Sequence, residues 1–289
     1  MPIAERGYRH WEGTLREQGR SWWPITRLGI KLAFKRKFFK FVLGLSLVPA
    51  VAFIAGVYIS ERIEDFSFMM RGSRRILTVD PSYFAAYFNG QFLLFMMLMI
   101  MVLAGAGLIA DDLRWNALQL YFARPLRKRD YLAGKLGVAA FFLLLLTILP
   151  GILFILFKLI FSGSFRFLGQ YPWLPLSVLA DSFLLTAVFS LYTLLISSLS
   201  RNRRYASVLL FLIYILSDVF FGIFYGLFQQ PVFCLLSFRA NLQQVGAALF
   251  RTATPYPVPW IFSALVLAAL CGTAMLVLAR KVRGVEVIR

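Results

Sequence analysis

Long apolar runs without charge constrain this chain more than any other feature of its sequence. About 20 consecutive apolar residues cross the hydrocarbon core of a bilayer as a helix, and continuous rather than alternating runs indicate helices instead of strands. Apolar residues make up 60% of the 289 residues, too many for a soluble domain of this size. The runs therefore predict an all-α integral membrane protein with six transmembrane helices. These spans cover residues of about 41–60, 90–110, 136–158, 175–199, 206–228 and 258–279.

The distribution of basic residues predicts how the spans are oriented. The net charge is +18, and 23 of the 31 Lys and Arg residues lie in four segments, 1–40, 111–135, 201–205 and 280–289. Seven lie in the alternate segments, and Lys158 falls near the end of the third span. Lys and Arg accumulate on the cytoplasmic side of membrane proteins. We therefore expect both termini in the cytoplasm, basic residues that meet anionic lipid of the bilayer, and no nucleic-acid partner.

Few side chains suited to catalysis or metal binding are present. The chain has two cysteines, Cys234 and Cys271, and one histidine, His10. These predict neither a disulfide framework nor a zinc or haem site. The sequence contains no H-E-x-x-H, G-x-S-x-G or G-x-x-x-x-G-K-[ST] motif. We expect a chain that is not itself an enzyme, does not hydrolyse ATP and binds no cofactor.

The N-terminal part is predicted to divide into two pieces before the first span. Residues 1–22 are polar and basic and are expected to form a cytoplasmic extension, ahead of a membrane domain over residues 23–289. Residues 24–36 carry apolar and basic side chains at helical spacing, which is typical of an amphipathic helix lying in the membrane interface. The alternative is a cytoplasmic extension of the first span itself.

The segment between the second and third spans, residues 111–135, is longer than a simple connection requires. Asp111 and Asp112 are expected to cap the start of a helix, because carboxylates accept hydrogen bonds from free backbone N–H groups there. Pro125 is expected to end this helix, and a second short basic helix would then lead into the third span. A helix–break–helix of this kind predicts a docking surface at the cytoplasmic face.

Ionisable side chains inside the spans are functional candidates, because burying them in lipid is costly. Lys158 is close enough to the outer interface to extend its amine to the headgroups. Asp181 either sits near the headgroups or has a functional role. Asp218 lies near the middle of the fifth span, and it either lines a pathway or makes a helix-packing hydrogen bond. Three aromatic side chains of the same span are candidates for that pathway, with ordinary packing as the alternative: Tyr214, Phe220 and Phe224.

The segment 111–135 resembles the loop between spans two and three in the permease subunits of ABC-2 type ABC transporters. In that family an acidic residue and a short helix precede a stretch similar to P-x-x-R-x-x-Y-x-x-G-K. The corresponding residues here are Asp111 and Asp112, then Pro125, Arg127, Lys128, Arg129, Tyr131, Gly134 and Lys135. The six spans and the interfacial helix extend the resemblance over nearly the whole chain, while the extension 1–22 departs from it.

The resemblance implies the permease subunit of an ATP-driven exporter in a bacterial cytoplasmic (inner) membrane. It implies two partners besides the bilayer: a cytoplasmic ABC ATPase, which holds ATP and Mg²⁺, and a second permease copy, identical or related. Spans two and five would face the dimer axis and form the path, with Asp218, Tyr214, Phe220 and Phe224 as candidate lining residues. The residues assigned to ATPase coupling are Asp111, Asp112, Leu113, Arg114, Ala117, Leu120, Pro125, Arg129, Tyr131 and Lys135. Secondary cytoplasmic contacts fall on Arg27, Lys31, Arg201, Arg203 and Arg204.

Three other functions stay open on the sequence alone. A proton-coupled secondary transporter would use Asp218 as its carrier, although no inverted repeat is visible. A membrane enzyme acting on lipid would need a cluster of reactive groups that the spans lack. A passive membrane anchor would not need the small and polar residues of spans two and five.

Overall fold

The computed structural model describes residues 21–61, 78–122 and 126–281, and within these ranges every regular element is a helix. Six helical runs are long and apolar enough to cross a membrane, so the chain is a multi-pass membrane protein and the prediction of six spans is confirmed. The spans are Lys37–Glu61, Pro81–Arg114, Lys128–Ser162, Leu174–Leu199, Arg203–Phe228 and Trp260–Lys281. The predicted extension 1–22 lies outside the described residues apart from its last two positions.

The helix before the first span, α1 (Trp22–Phe34), is separate from α2 (Lys37–Glu61). It packs against the beginning of the third span through a side that buries Thr26 and Ala33. Leu28 and Leu32 face outward instead. The position of α1 in a membrane interface, with its exposed apolar side toward lipid, stays a prediction.

The second span is a chain of short helical pieces rather than one regular helix. The side chain of Asp80 caps its start by accepting a hydrogen bond from the Tyr83 N–H. A break at Asn89 and Gly90 separates the first two pieces, and a π-helical turn, Met101–Gly105, interrupts the run again further on. The α-helical pieces are α3 (Pro81–Phe88), α4 (Gln91–Ile100) and α5 (Gly107–Arg114).

The remaining helices complete the bundle. In chain order they are α6 (Ala117–Phe122), α7 (Lys128–Ser162), α8 (Arg166–Gln170), α9 (Leu174–Leu199), α10 (Arg203–Phe228), a 3₁₀ helix (Pro231–Leu236), α11 (Phe238–Leu249) and α12 (Trp260–Lys281). We call the end of the bundle with α1, α5 and the start of α7 the α1 end, and the opposite end the α11 end. At the α11 end, Lys158 forms an ion pair with Glu61 instead of standing free.

Helix α9 forms the centre of the bundle, and α10 lies at its edge. In the most apolar stretch of α9, 72% of the residues are buried, against 17% for α10. The inward sides of α9 carry small hydroxyl side chains, which let neighbouring helices approach closely. The outward sides of α10 carry large apolar side chains, which suit lipid or another protein subunit.

Candidate functional site

The end of span two is joined to the beginning of span three by one carboxylate. Asp112 accepts a 2.6 Å hydrogen bond from the Tyr131 hydroxyl and forms a 2.7 Å ion pair with the Lys135 amine. Tyr131 is fully buried, and Lys135 is only 8% exposed. Three residues that the sequence singled out therefore meet, but their polar groups are used inside the protein. We call this contact the Asp112 clamp.

The predicted capping role of the two aspartates is wrong. Asp111 and Asp112 lie in the last turns of α5, which ends at Arg114, and not at the start of a new helix. A carboxylate near a helix C-terminus meets the negative end of the helix dipole, which is unfavourable. The charge of Lys135 and the hydroxyl of Tyr131 offset this cost at Asp112.

The helix–break–helix prediction for residues 111–135 is correct only in part. The helix is interrupted at Trp115 and Asn116, where Asn116 adopts a left-handed backbone conformation with φ of 50°. Helix α6 follows, and it contains Ala117. No separate basic helix precedes span three, because α7 runs unbroken from Lys128 to Ser162. Pro125 and the side chain of Leu120 lie outside the described residues.

Exposed basic and aromatic side chains surround the Asp112 clamp. Trp115 is 72% exposed, and the Arg114 guanidinium lies over its ring at 5.1 Å from the centroid. Leu113 is half-buried, because it packs against the core. In the same cluster, burial and then the nearby Asp112 carboxylate raise the pKa of the Tyr121 hydroxyl. Several exposed cations at this end form, together with Trp115, a surface that we call the basic platform: Arg27, Lys31, Arg114, Arg127, Lys128, Arg129, Arg201 and Arg204.

Arg203 does not belong to the basic platform, although it was predicted to make the same contacts as its neighbours. Its guanidinium donates a 2.6 Å hydrogen bond to the carbonyl oxygen of Leu103, and Arg36 donates to the same oxygen at 2.9 Å. Leu103 lies in the π-helical turn, where the widened backbone frees carbonyl groups from their usual partners. Two arginines therefore tie the starts of spans one and five to this turn of span two.

Asp218 is held by two partners at the start of α11. Its carboxylate forms a 2.8 Å ion pair with Arg239 and accepts a hydrogen bond from the Ser237 hydroxyl. Ser217 next to it accepts a hydrogen bond from the Phe238 backbone N–H. The side chain of Asp218 thus connects α10 to the start of α11, and its assignment to a pathway stays a prediction.

The three aromatic candidates of span five do not share one surface. Tyr214 is buried against Phe189 and Phe238, whereas Phe220 is exposed. Phe224 stacks on Phe233 of the 3₁₀ helix, with ring centroids 5.4 Å apart. Tyr214 therefore does not belong to one stripe with Phe220 and Phe224.

A buried row of hydroxyl groups on α9 was not predicted. Ser182, Thr186, Ser190 and Thr193 follow each other at intervals of three or four residues and share one side of the helix. All four hydroxyl oxygens are buried without a hydrogen-bond partner among the described residues, and both carboxylate oxygens of the adjacent Asp181 are in the same state. The spacing of these residues is visible in the sequence and could have revealed the row.

The chain matches no model of a known protein family, and no curated protein matches it either. The assignment of a function therefore depends on the geometry described above.

Proposed function

We propose that this chain is the membrane-spanning permease subunit of an ATP-driven exporter, similar to the ABC-2 type. A separate ATPase would dock on the basic platform, and a second permease copy would complete the path. In this proposal the α1 end faces the cytoplasm of a bacterium, in agreement with the excess of Lys and Arg there. The cargo would leave the cytoplasm or the inner leaflet by alternating access.

The observation that carries the proposal is the construction of the basic platform. Three separate segments meet at the α1 end and carry its exposed cations: α1, the α5–α7 junction and the turn before α10. The Asp112 clamp neutralises its own charges internally, so the cations around it stay available to an acidic partner. Trp115 offers a large aromatic side chain at the same place, a residue type that is frequent where protein partners bind tightly.

The platform is mechanically connected to the spans. Helix α7 extends for 35 residues, or about 50 Å, so a push on its first turn reaches the other end of the bundle. The Asp112 clamp ties this turn to the last turns of α5, and spans two and three would move together. Such a paired lever suits a transporter in which an ATPase closes and opens the path.

The rival functions have less support. Asp218 as a proton carrier would first have to leave its ion pair with Arg239. For a lipid-modifying enzyme, the described residues bring together no group of three or more His, Cys, Asp or Glu side chains that could hold a metal ion. A passive anchor gives no reason for a buried row of hydroxyl groups in α9.

The test is purification of the tagged chain together with the products of its neighbouring genes. We expect the wild-type preparation to hydrolyse ATP. This activity would come from a copurified ATPase, because the chain itself has no phosphate-binding loop. Trp115→Asp should abolish the copurified ATPase activity, since it places a negative charge in the middle of the basic platform. Leu113→Asp is less suitable, because Leu113 packs against the core and its replacement would disturb the fold.

Phe165→Asp is the matched control. Phe165 is 79% exposed in the loop between α7 and α8 at the α11 end, so the same change there should leave the ATPase in place. Absence of ATPase activity from the wild-type preparation would contradict the proposal. Equal loss of ATPase activity from both variants would show that the basic platform is not the docking surface.

A further inference from the structure

The side chain of Asp181 is a carboxyl group inside the bundle. It lies seven residues into α9, about 10 Å along the helix from Leu174, and its exposed fraction is 0%. Neither carboxylate oxygen has a hydrogen-bond partner among the described residues. Several buried polar side chains near it do have partners, for example Ser177, which donates to the Leu249 carbonyl at 2.7 Å. Asp181 therefore needs an explanation of its own.

Charged groups on the helices around α9 do not compensate Asp181. Lys158 of α7 pairs with Glu61, and Arg239 of α11 pairs with Asp218. Arg251 lies over the Trp173 ring. The other titratable or charged groups of the surrounding helices are Asp80, Tyr83 and Tyr87 in or beside α3, Asp111, Asp112 and Arg114 in α5, Lys128, Arg129, Asp130, Tyr131 and Lys135 in α7, Tyr192 in α9 itself, Arg203, Arg204, Tyr205, Tyr214 and Tyr225 in α10, and Cys271, Arg280 and Lys281 in α12. None of them forms an ion pair or a hydrogen bond with Asp181 within the described residues.

The space beside Asp181 decides what it can bind. The backbone of α11 passes directly over the carboxylate at Gly246, where an added Cβ would lie 3.2 Å from Asp181 Oδ1 and 2.1 Å from the side-chain oxygen of Asn89. On this side of Asp181, no room is left for an organic amine or a hydrated cation. A proton fits, and it removes the charge whose burial without a partner is costly.

We infer that Asp181 is a proton-binding site inside the bundle, toward its α11 end, and that the hydroxyl row of α9 is the route to it. The proton would sit on the carboxyl group and make it neutral. Release of the proton would leave an anion against Gly246, so water would have to enter between α9 and α11. This inference does not rest on the proposed ATPase partner, and it assigns proton binding to Asp181 instead of Asp218.

The hydroxyl row has the right chemistry for such a route. A hydroxyl group both donates and accepts hydrogen bonds, so a row of them can pass a proton along. Ser182, Thr186 and Ser190 are one turn apart, roughly 6 Å along the axis, and one water molecule closes a gap of that size with two hydrogen bonds. The row ends at Thr193, one turn before Ser197, whose hydroxyl donates to the Ala106 carbonyl and accepts from the Ile109 and Ala110 N–H groups near the α1 end.

Infrared spectroscopy of the full chain in liposomes tests the inference. A protonated carboxyl group gives a C=O stretching band that shifts when H₂O is replaced by D₂O. We expect this band at neutral pH in the wild type, its loss in Asp181→Asn and its retention in Asp218→Asn. A wild type without the band at neutral pH would overturn the inference even if no variant folds, and so would a band that survives in Asp181→Asn.

Two threonine variants of equal shape test the route. Thr186→Val removes a hydroxyl of the row, and we expect the D₂O shift of the Asp181 band to slow several-fold. Thr147→Val is the control, because the Thr147 hydroxyl is equally buried in α7 but already donates to the Leu143 carbonyl. Equal shift rates in the two variants would overturn the route.

Discussion

At the scale of single residues, Asp112 is the residue of the predicted site that holds two others in place. One carboxylate oxygen serves both the Tyr131 hydroxyl and the Lys135 amine, whose side chain is 10% exposed. A buried amine without its counter-charge is far more costly than a lost surface ion pair. The sequence motif thus marks residues that make contacts inside the protein, while the basic platform proposed to bind a partner lies around them.

We predict that Asp112→Asn lowers the free energy of unfolding by about 3 kcal/mol, because Lys135 stays buried without a counter-charge. Tyr131→Phe should cost about 1.5 kcal/mol, the value of one hydrogen bond to a charged group. Thermal denaturation of the purified chain in detergent measures both changes. Asp111→Asn is the control, since Asp111 forms no ion pair within the described residues. A control that loses as much as Asp112→Asn would show that the clamp is not the cause.

Residue identities could be predicted from the sequence better than residue roles. Asp112, Tyr131 and Lys135 were singled out together, but their mutual contact is a tertiary arrangement that spacing along the chain does not reveal. The sequence prediction treated Asp181 as a single charged group and did not connect it with the hydroxyl groups that follow it in α9. The i, i+4 spacing of Ser182 and Thr186 was the available signal.

At the scale of elements, α1 is attached to α7 by close contact of small residues. The Thr26 hydroxyl donates to the Gly134 carbonyl at 2.9 Å. A Cβ added at Gly134 would lie 2.8 Å from Ile25 Cβ and 3.0 Å from the Trp22 carbonyl oxygen, closer than ordinary van der Waals contact allows. Glycine at this position is therefore required by the approach of the two helices.

We predict that Gly134→Ala pushes α1 away from α7 and lowers stability by about 1 to 3 kcal/mol, as overpacking of a tight contact does. Displacement of α1 would also speed tryptic cleavage after Arg27 and Lys31, which are both exposed. The rate of that cleavage in detergent is the measurement. Gly44→Ala in α2 is the matched control, because no atom lies within 4 Å of its added Cβ. Faster cleavage in the control, or an unchanged rate in Gly134→Ala, would contradict this account.

The elements themselves were largely predictable, for a physical reason. Charge-free apolar runs of sufficient length have only one stable form in lipid, the helix, so all six spans lie where the runs are. The interruptions of span two were not predictable in the same way. The Leu103 carbonyl in the π-helical turn accepts hydrogen bonds from Arg36 and Arg203, which are distant from it in sequence, and such long-range contacts are not visible in a local pattern. The start at Pro81 instead of residue 90 depends on the Asp80 cap.

At the scale of the whole molecule, the 3₁₀ helix and α11 between spans five and six are packed among the other helices at the α11 end, and we call these two helices the wedge. Helix α11 lies buried against α9, α10 and α12. Its polar side chains hold it in place from inside: Gln244 donates to the carbonyls of Tyr256 and Val258, and Gln243 donates to that of Asn89. The Asp218–Arg239 pair is the matching attachment on the side of α10.

We predict that Asp218 and Arg239 act as one unit that anchors this wedge. Cys234 in the 3₁₀ helix is a built-in reporter, because its thiol is fully buried and burial raises the pKa of the thiol, so little reactive thiolate is present. In a Cys271→Ser background, Asp218→Asn and Arg239→Gln should each speed maleimide labelling of Cys234 to a similar extent. The double variant should label no faster than either single variant, since the two changes remove the same interaction.

A lining residue of a pathway would behave differently: Asp218→Asn would leave labelling at the wild-type rate, and Arg239→Gln alone would loosen the segment. The comparison of the two single variants therefore separates an anchor from a pathway residue without knowledge of the cargo.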